Sequence, residues 1–426
     1  MASKSSISSQ NASLPKYLYS HHDFITHTRA CEGCTSSIRK SDPFHVPNRR
    51  PNMMRSLVED ALAREETAGA SMAQAAALGA DQRVDAELEA ILKTLKTNIK
   101  IIGVGGGGSN TVARIYDEGI VGAELIAANT DAQHLLTLHA PHKLLLGRRV
   151  TRGLGAGALP QIGEEAAREA EEELKKILMD THICFITCGL GGGTGTGGAA
   201  VVARTAKEMG ALTIAVATLP FRGEGKMRME NAEWGLERLR DASDTVVVIP
   251  NDKLLEIVPR LSLNAAFKVA DEVLMRSIKG LTEVITRPGL VNLDFNDVKT
   301  IMKGAGVAMI GLGESDAPGD ERIQEAIDQA LNSPLLEVDI SEANGVLIDV
   351  IGGTDMTISE AEKAAEEIQT RVGQNARIIW GAAIDPAMDK TVRVMLVATG
   401  VKSKQILGRP SGEKRYKGVG EVDLVR

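Results

Sequence analysis

From Ile99 onward, short apolar runs alternate with longer stretches in which apolar residues return every three or four positions. The runs Ile99–Val104, Leu125–Ala128, Lys143–Leu146, His182–Cys188, Leu212–Thr218 and Thr245–Ile249 predict strands. Their near-continuous apolar character predicts a parallel sheet covered by helices on both faces, with ligands at the carboxyl ends of the strands. Leu263–Thr286 carries one long helical pattern, closed by Arg287-Pro288-Gly289. A second pattern follows: strand Val307–Leu312, helix Glu321–Leu331, strand Gly345–Ile351, helix Ser359–Val372, and strands Arg377–Ala382 and Val392–Thr399. It holds no glycine-rich phosphate signature and reads as a smaller α+β domain.

The flanks differ. Residues 1–52 show no period, hold half of the eight histidines and carry many serines, so they are expected to be disordered. The Ser-rich, acid-poor opening suits an organelle transit peptide; the favoured alternative is that translation starts at Met53 or Met54. Cys31 and Cys34, with His21, His22, His27 and His45 nearby, form a weak zinc signal, because a second pair at clean spacing is missing. Residues 53–97 are Ala- and Glu-rich. Val84, Leu88, Ile91, Leu92 and Leu95 fall near helical spacing, so this segment is expected to be an amphipathic helix docked on the main domain. The expected organisation continues with a nucleotide-binding domain over 98–286, including the central helix 263–286, an α+β domain over 287–401, and a polar, basic, flexible tail over 402–426.

Composition narrows the function. A net charge of −7 argues against a general nucleic-acid binder. Four cysteines in 426 residues make no disulfide scaffold, and Cys184 and Cys188 read as small buried hydrophobes. No uninterrupted apolar stretch is long enough to span a bilayer. A cytoplasmic protein fits these features.

The 43 glycines are clustered. Two clusters each follow a strand and precede a helix, where backbone N–H groups and the absence of a side chain suit a phosphate. Two such turns converging on one ligand suggest a di- or triphosphate. Gly103-Val-Gly105-Gly-Gly-Gly108 satisfies a dinucleotide-binding pattern, with Asp131 downstream at a ribose-contacting distance. Taken alone, that would indicate an NAD(P)-linked oxidoreductase. The second turn, Gly191-Gly192-Gly193-Thr194-Gly195-Thr196-Gly197, lacks the lysine of a Walker loop. It resembles the signature of the tubulin/FtsZ family, and the resemblance runs from Ile99 to Val401, nearest to the archaeal FtsZ type.

The resemblance implies a GTP-binding site. Gly106, Gly107, Gly108, Ser109 and Asn110 would contribute from the first turn, and Gly192, Gly193, Thr194, Gly195, Thr196 and Gly197 from the second. Asn129-Thr130-Asp131 and Thr151–Gly157 match further nucleotide-contacting loops. Glu224 and Arg228, after Pro220-Phe221, match the residues that approach ribose and phosphates. Asn251, Phe267 and Asp271 match the base-binding elements, and Asn110, at the end of the first turn, also matches a base-contacting position. Phe267 would stack on guanine while Asn251 and Asp271 bond its edge. The chemistry is apt: guanine presents an N1–H and an amine that one carboxylate can accept, and Phe267 and Asp271 share a helix face. Without the resemblance, Phe267 would read as core and Asp271 as a solvated helix charge.

The resemblance also implies a split catalytic site. Gly289-Leu-Val-Asn292-Leu-Asp294-Phe-Asn-Asp297 matches a loop that serves the neighbouring subunit's γ-phosphate, with Asp294 and Asp297 orienting water and Asn292 shaping the contact. The simpler reading of both aspartates is helix capping. Mg²⁺ carried with the nucleotide is implied, K⁺ is a candidate companion, and no protein metal site is expected. A cleft on one face and its catalytic loop on another give head-to-tail filaments. Such an assembly would serve a mid-cell division ring. Val422–Val425 in the tail would dock on a membrane-anchoring or other division partner. A non-hydrolysing nucleotide-binding scaffold is the remaining alternative, and the aspartate pair counts against it.

Overall fold

The computed structural model describes residues 97–401, apart from 258–262, 287–288, 292, 320, 337–339 and 374–375. The expectations placed on residues 1–52, most of 53–97, Cys31 and Cys34, Asn292 and the tail therefore lie outside the described residues. The described residues belong to one compact unit.

Among the described residues, ten strands form one sheet. They are β1 (Ile99–Val104), β2 (Ala123–Asn129), β3 (His142–Leu145), β4 (Ile183–Gly189), β5 (Leu212–Leu219), β6 (Thr245–Pro250), β7 (Gly306–Ser315), β8 (Gly345–Gly352), β9 (Arg377–Ile384) and β10 (Val392–Thr399). Their order is β3-β2-β1-β4-β5-β6-β7-β10-β8-β9. The pairs among β1 to β6 are parallel. In β1, β4 and β5 nearly every residue is buried, as strands covered on both faces require. The two halves expected from the sequence share this sheet, because β6 pairs with β7 through Thr245–Gly306, Val246–Val307 and Val247–Ala308. Only β10 runs antiparallel, between β7 and β8.

The helices are α1 (Gly105–Asp117), α2 (Ala132–Thr137), α3 (Pro160–Glu169), α4 (Glu171–Ile177), α5 (Thr194–Glu208), α6 (Lys226–Ala242), α7 (Asn251–Ile257), α8 (Leu263–Thr286), α9 (Phe295–Met302), α10 (Glu321–Leu331) and α11 (Ile358–Arg371). One core lies between the sheet and α1 and α8, holding Ile101, Ile115, Phe185, Ile214, Leu274 and Ile278. A second, on the opposite face, is built from Ile102, Ile186, Ala215 and Val248 against Ala167, Val202 and Leu239. A third packs Ile323, Ile327, Ala364 and Ile368 onto Val346, Ile348 and Leu396. With only six phenylalanines, two tryptophans and four tyrosines in the chain, these cores rest on aliphatic side chains.

α1 starts five residues earlier than the sequence pattern indicates, so its glycines are its first turn rather than a loop before it. α3, α4 and α6 were not assigned from the sequence. Pro160 at the first turn of α3 is a start signal in the sequence.

Candidate nucleotide cleft

At the carboxyl ends of β1, β4, β5 and β6 the chain leaves the sheet through turns that surround a cavity of about 440 Å³. Two helices aim their N-termini at it. α1 begins directly from β1, and α5 begins at Thr194 after the second glycine turn. The two turns touch: Gly105 has φ +76°, and a Cβ there would lie 2.7 Å from the Gly195 nitrogen. Only glycine allows both the left-handed backbone and that approach. The first-turn N–H groups and two converging helix dipoles suit this floor to an anion.

Most of the residues implied by sequence line the cavity. Gly106, Gly107, Asn110, Gly192, Gly193, Thr194, Gly195, Glu224, Arg228, Asn251, Phe267 and Asp271 are all on its walls. At Gly106 and Gly192 a Cβ would meet nothing within 4 Å, so these backbones face open space. Five others do not line it; they pack against or bond to neighbouring elements instead. Gly108 sits against β4, where a Cβ would lie 2.1 Å from the Thr187 oxygen. Ser109 is buried and donates toward the carbonyls of Gly103 and Ala128. Thr196 accepts from the Gly191 N–H at 2.9 Å and so braces the second turn. Gly197 lets α5 approach α3, where a Cβ would meet the Pro160 oxygen at 1.9 Å. Asp131 caps α2 by accepting from the His134 N–H at 3.1 Å. These five support the cleft from behind.

The walls are held by specific contacts. Glu224 accepts from the Phe221 N–H at 2.9 Å and pairs with Arg228. Phe221, which is buried, meets Phe267 edge to face with ring centroids 5.3 Å apart. Phe267 itself remains 37% exposed, which leaves ring surface for a planar ligand. Asn251 is buried with its Oδ1 unpartnered, an acceptor awaiting a donor. Burial pushes the Asp271 carboxyl up to about 6, against the opposing pull of Arg114, whose Nε lies 3.7 Å away. Arg114 was not singled out in the sequence. Nor were Gly189, Leu190 and Thr218, which also line the cavity.

A larger hollow of about 790 Å³ lies over α10, away from the glycine turns. Glu321, Glu325 and Asp328 line it, and that acidity is unsuited to a phosphate. The phosphate chemistry therefore belongs to the smaller cleft.

The model of the tubulin/FtsZ family GTPase domain matches residues 98–259, and that of the FtsZ family C-terminal domain matches 306–402. Cell division protein FtsZ 1 of Archaeoglobus fulgidus is 58% identical over 356 residues, 84% of this chain and 95% of the relative. The chain belongs to the FtsZ family. Cell division protein FtsZ of Haloferax mediterranei is 54% identical, over 87% of this chain and 98% of its own. A solved FtsZ dimer from M. jannaschii matches with a TM-score of 0.71 and 56% identity, over 74% of this chain and 92% of its own. FtsZ proteins are filament-forming cell-division GTPases, and this chain is one of them.

The FtsZ acidic loop lies away from the cleft. Asp294 occupies the N-cap position of α9, yet its carboxylate makes no capping bond. Both Asp294 and Asp297 are exposed. Phe295 packs its ring 6.1 Å from that of His182, which immediately precedes β4. At the far end of α9, the Met302 carbonyl accepts from the hydroxyl of Thr245, the first residue of β6. α9 therefore runs along the amino-terminal edge of the parallel strands. The seven-residue β4 separates that edge from the cleft by about 20 Å.

Among the described residues, no group of three or more His, Cys, Asp or Glu side chains could hold a metal ion. No described helix is long and apolar enough to cross a membrane.

Proposed function

We propose that GTP bound in the cleft of one molecule is hydrolysed with help from Asp294 and Asp297 of the next molecule in a head-to-tail filament. One observation carries this reading: the acidic pair and the cleft occupy opposite edges of the same sheet. Within one molecule the aspartates are a strand's length from the phosphate floor. A contact that joins one edge to the other repeats without closing, and the product is a filament.

The assignments follow from the chemistry of each wall. Gly106, Gly107, Gly192, Thr194 and Gly195 receive the phosphates on backbone N–H groups, while the Gly193 N–H donates to the Gly157 carbonyl at 2.9 Å and fixes the turn. Glu224 and Arg228 flank the ribose and the nearest phosphates. Phe267 covers the base, and the Asp271 carboxylate accepts from N1–H and the exocyclic amine of guanine. The unpartnered Asn251 Oδ1 offers a further acceptor. Adenine lacks that pair of donors on one edge, so the cleft prefers guanine. Mg²⁺ would arrive with the nucleotide, with K⁺ as a candidate companion, because a floor of backbone N–H groups offers a cation no ligand of its own. The metal supplies charge neutralisation at the phosphates when bound. The exposed carboxylates of Asp294 and Asp297 orient and polarise the attacking water. Positioning and charge stabilisation are what phosphoryl transfer requires.

On this reading 98–286 is the nucleotide-binding half and 287–401 supplies the catalytic loop, with Asn292 shaping the contact. The segment 53–97, the tail 402–426 and its Val422–Val425 peptide serve docking, the last on a membrane-anchoring division partner. The filament works in the cytoplasm at the division ring.

Asp294→Ala tests the split site. The variant is expected to bind GTP and assemble normally, by light scattering, while phosphate release falls 100-fold or more, by about the amount one transition-state contact supplies. Undiminished phosphate release would remove Asp294 from the reaction.

A further inference from the structure

Behind the cleft wall, three side chains form a directional chain of hydrogen bonds. It starts at a group that can only donate: the Thr130 backbone N–H reaches Asn129 Oδ1 at 2.8 Å. That fixes the Asn129 amide with Nδ2 on the other side, where it donates to His134 Nδ1 at 3.1 Å. A ring nitrogen that accepts carries no proton, so the neutral imidazole holds its proton on Nε2. His134 Nε2–H in turn donates to Asn110 Oδ1 at 3.0 Å. Asn110 lines the cleft, and its Nδ2 hydrogens have no partner among the described residues.

We propose that His134 is a positioning residue: through this relay it holds the Asn110 amide with its N–H₂ toward the cleft, so that Asn110 donates to an acceptor on the bound nucleoside. The inference rests on the reading of the cleft as a guanine-nucleotide site. The acceptor is a lone pair near the base–ribose junction, either purine N3 or a ribose oxygen. Asn110 could otherwise rotate and present its carbonyl, which such a lone pair would repel. Asp271 reads the donor edge of the base; Asn110, oriented by His134, reads an acceptor.

A glutamine and a glutamate at position 134 separate orientation from mere filling of space. Glutamine can accept from Asn129 and donate to Asn110, as imidazole does. Glutamate can only accept at both ends, so it draws the Asn110 N–H₂ inward and turns the carbonyl to the cleft. Affinities of the full chain for GDP, 3-deaza-GDP and 2′-deoxy-GDP, measured below the assembly concentration, provide the readout. Ratios between analogues cancel the added charge of the glutamate.

In the wild type and in His134→Gln, one analogue is expected to bind roughly 5- to 10-fold more weakly than GDP, the loss of one hydrogen bond. 3-Deaza-GDP identifies N3, and 2′-deoxy-GDP identifies the ribose. In His134→Glu that ratio is expected to collapse to about 1 while GDP itself binds more weakly. The same ratio in all three proteins would overturn the relay, even with GDP bound tightly. A wild type that did not prefer GDP over ADP would overturn the guanine reading itself, and the relay with it. ¹⁵N NMR of the imidazole gives an independent check: a proton on Nε2 is expected, and one on Nδ1 would overturn the proposal.

Discussion

At the scale of single residues, the proposed reading of the cleft has Asp271 place opposite demands on folding and on binding. Burial raises its carboxyl to about 6, and Arg114 limits the rise. A group whose folded value lies above its ordinary 3.8 favours the fold at low pH and loses that contribution as pH climbs through 6. Guanine requires the reverse, because only the carboxylate accepts from both of its donors. GDP affinity, followed by calorimetric titration, is therefore expected to fall about tenfold for each pH unit below 6. Arg114→Ala should move that limb to higher pH, since it removes the cation that favours the charged form. Asp271→Asn should abolish the limb and weaken GDP at pH 7.5 by about 10- to 100-fold, the range for a hydrogen bond to a charged group. A flat pH profile in the wild type would show that Asp271 does not hold the base.

At the scale of elements, the long helix α8 meets the second half of the sheet through an acidic contact. Asp349 on β8 and Glu283 on α8 are both buried and line a small hollow with Gly289, Val291 and Gly381. Burial, and then the Glu283 carboxylate, push Asp349 up to about 8; Arg393 opposes them. The sign is the same as for Asp271: stability is present at low pH and declines as pH rises toward 8. Asp349→Asn keeps the shape and removes the ionisation. It is expected to stabilise the fold by on the order of a few kcal/mol at pH 8 and by little near pH 4, in denaturant unfolding at both pH values. An equal gain at the two would show that charge is not the cause. No sequence pattern announces this contact, because Asp349 sits in a strand whose alternation is otherwise apolar. The nucleotide elements were far more legible. Runs of glycine and threonine after apolar strands have few uses besides close approach to an anion. What the runs conceal is which glycine faces the ligand and which faces a neighbouring helix; Gly106 and Gly197 read alike until α3 and β4 are in place. His134 was invisible for a related reason: its role depends on Asn129 and Asn110, which come together only when β2 pairs with β1. The joining of the two halves into one sheet was equally hidden, since it rests on three paired residues between β6 and β7.

At the scale of the whole molecule, the separation of cleft and acidic loop allows a test that no single variant provides. Asp294→Ala retains its cleft and lacks the carboxylate proposed to orient the attacking water. Asp271→Ala lacks the guanine contact and retains the loop. Each alone should release little phosphate. If both parts acted within one molecule, mixing the two would restore nothing, because each molecule would still lack one half. If the loop acts across a subunit joint, the cleft of Asp294→Ala meets an intact loop whenever its neighbour is Asp271→Ala. In a one-to-one random copolymer half of the clefts hold nucleotide and half of those have a competent neighbour, so about a quarter of wild-type turnover is expected as an upper bound. The recovered rate should rise with total protein concentration, because it depends on assembly, and vanish on dilution. Recovery of phosphate release on mixing, with neither variant active alone, would place hydrolysis at the joint; a mixture as inactive as its parts, despite co-assembly seen by sedimentation, would return the chemistry to a single molecule and leave the opposite edges of the sheet without a catalytic meaning.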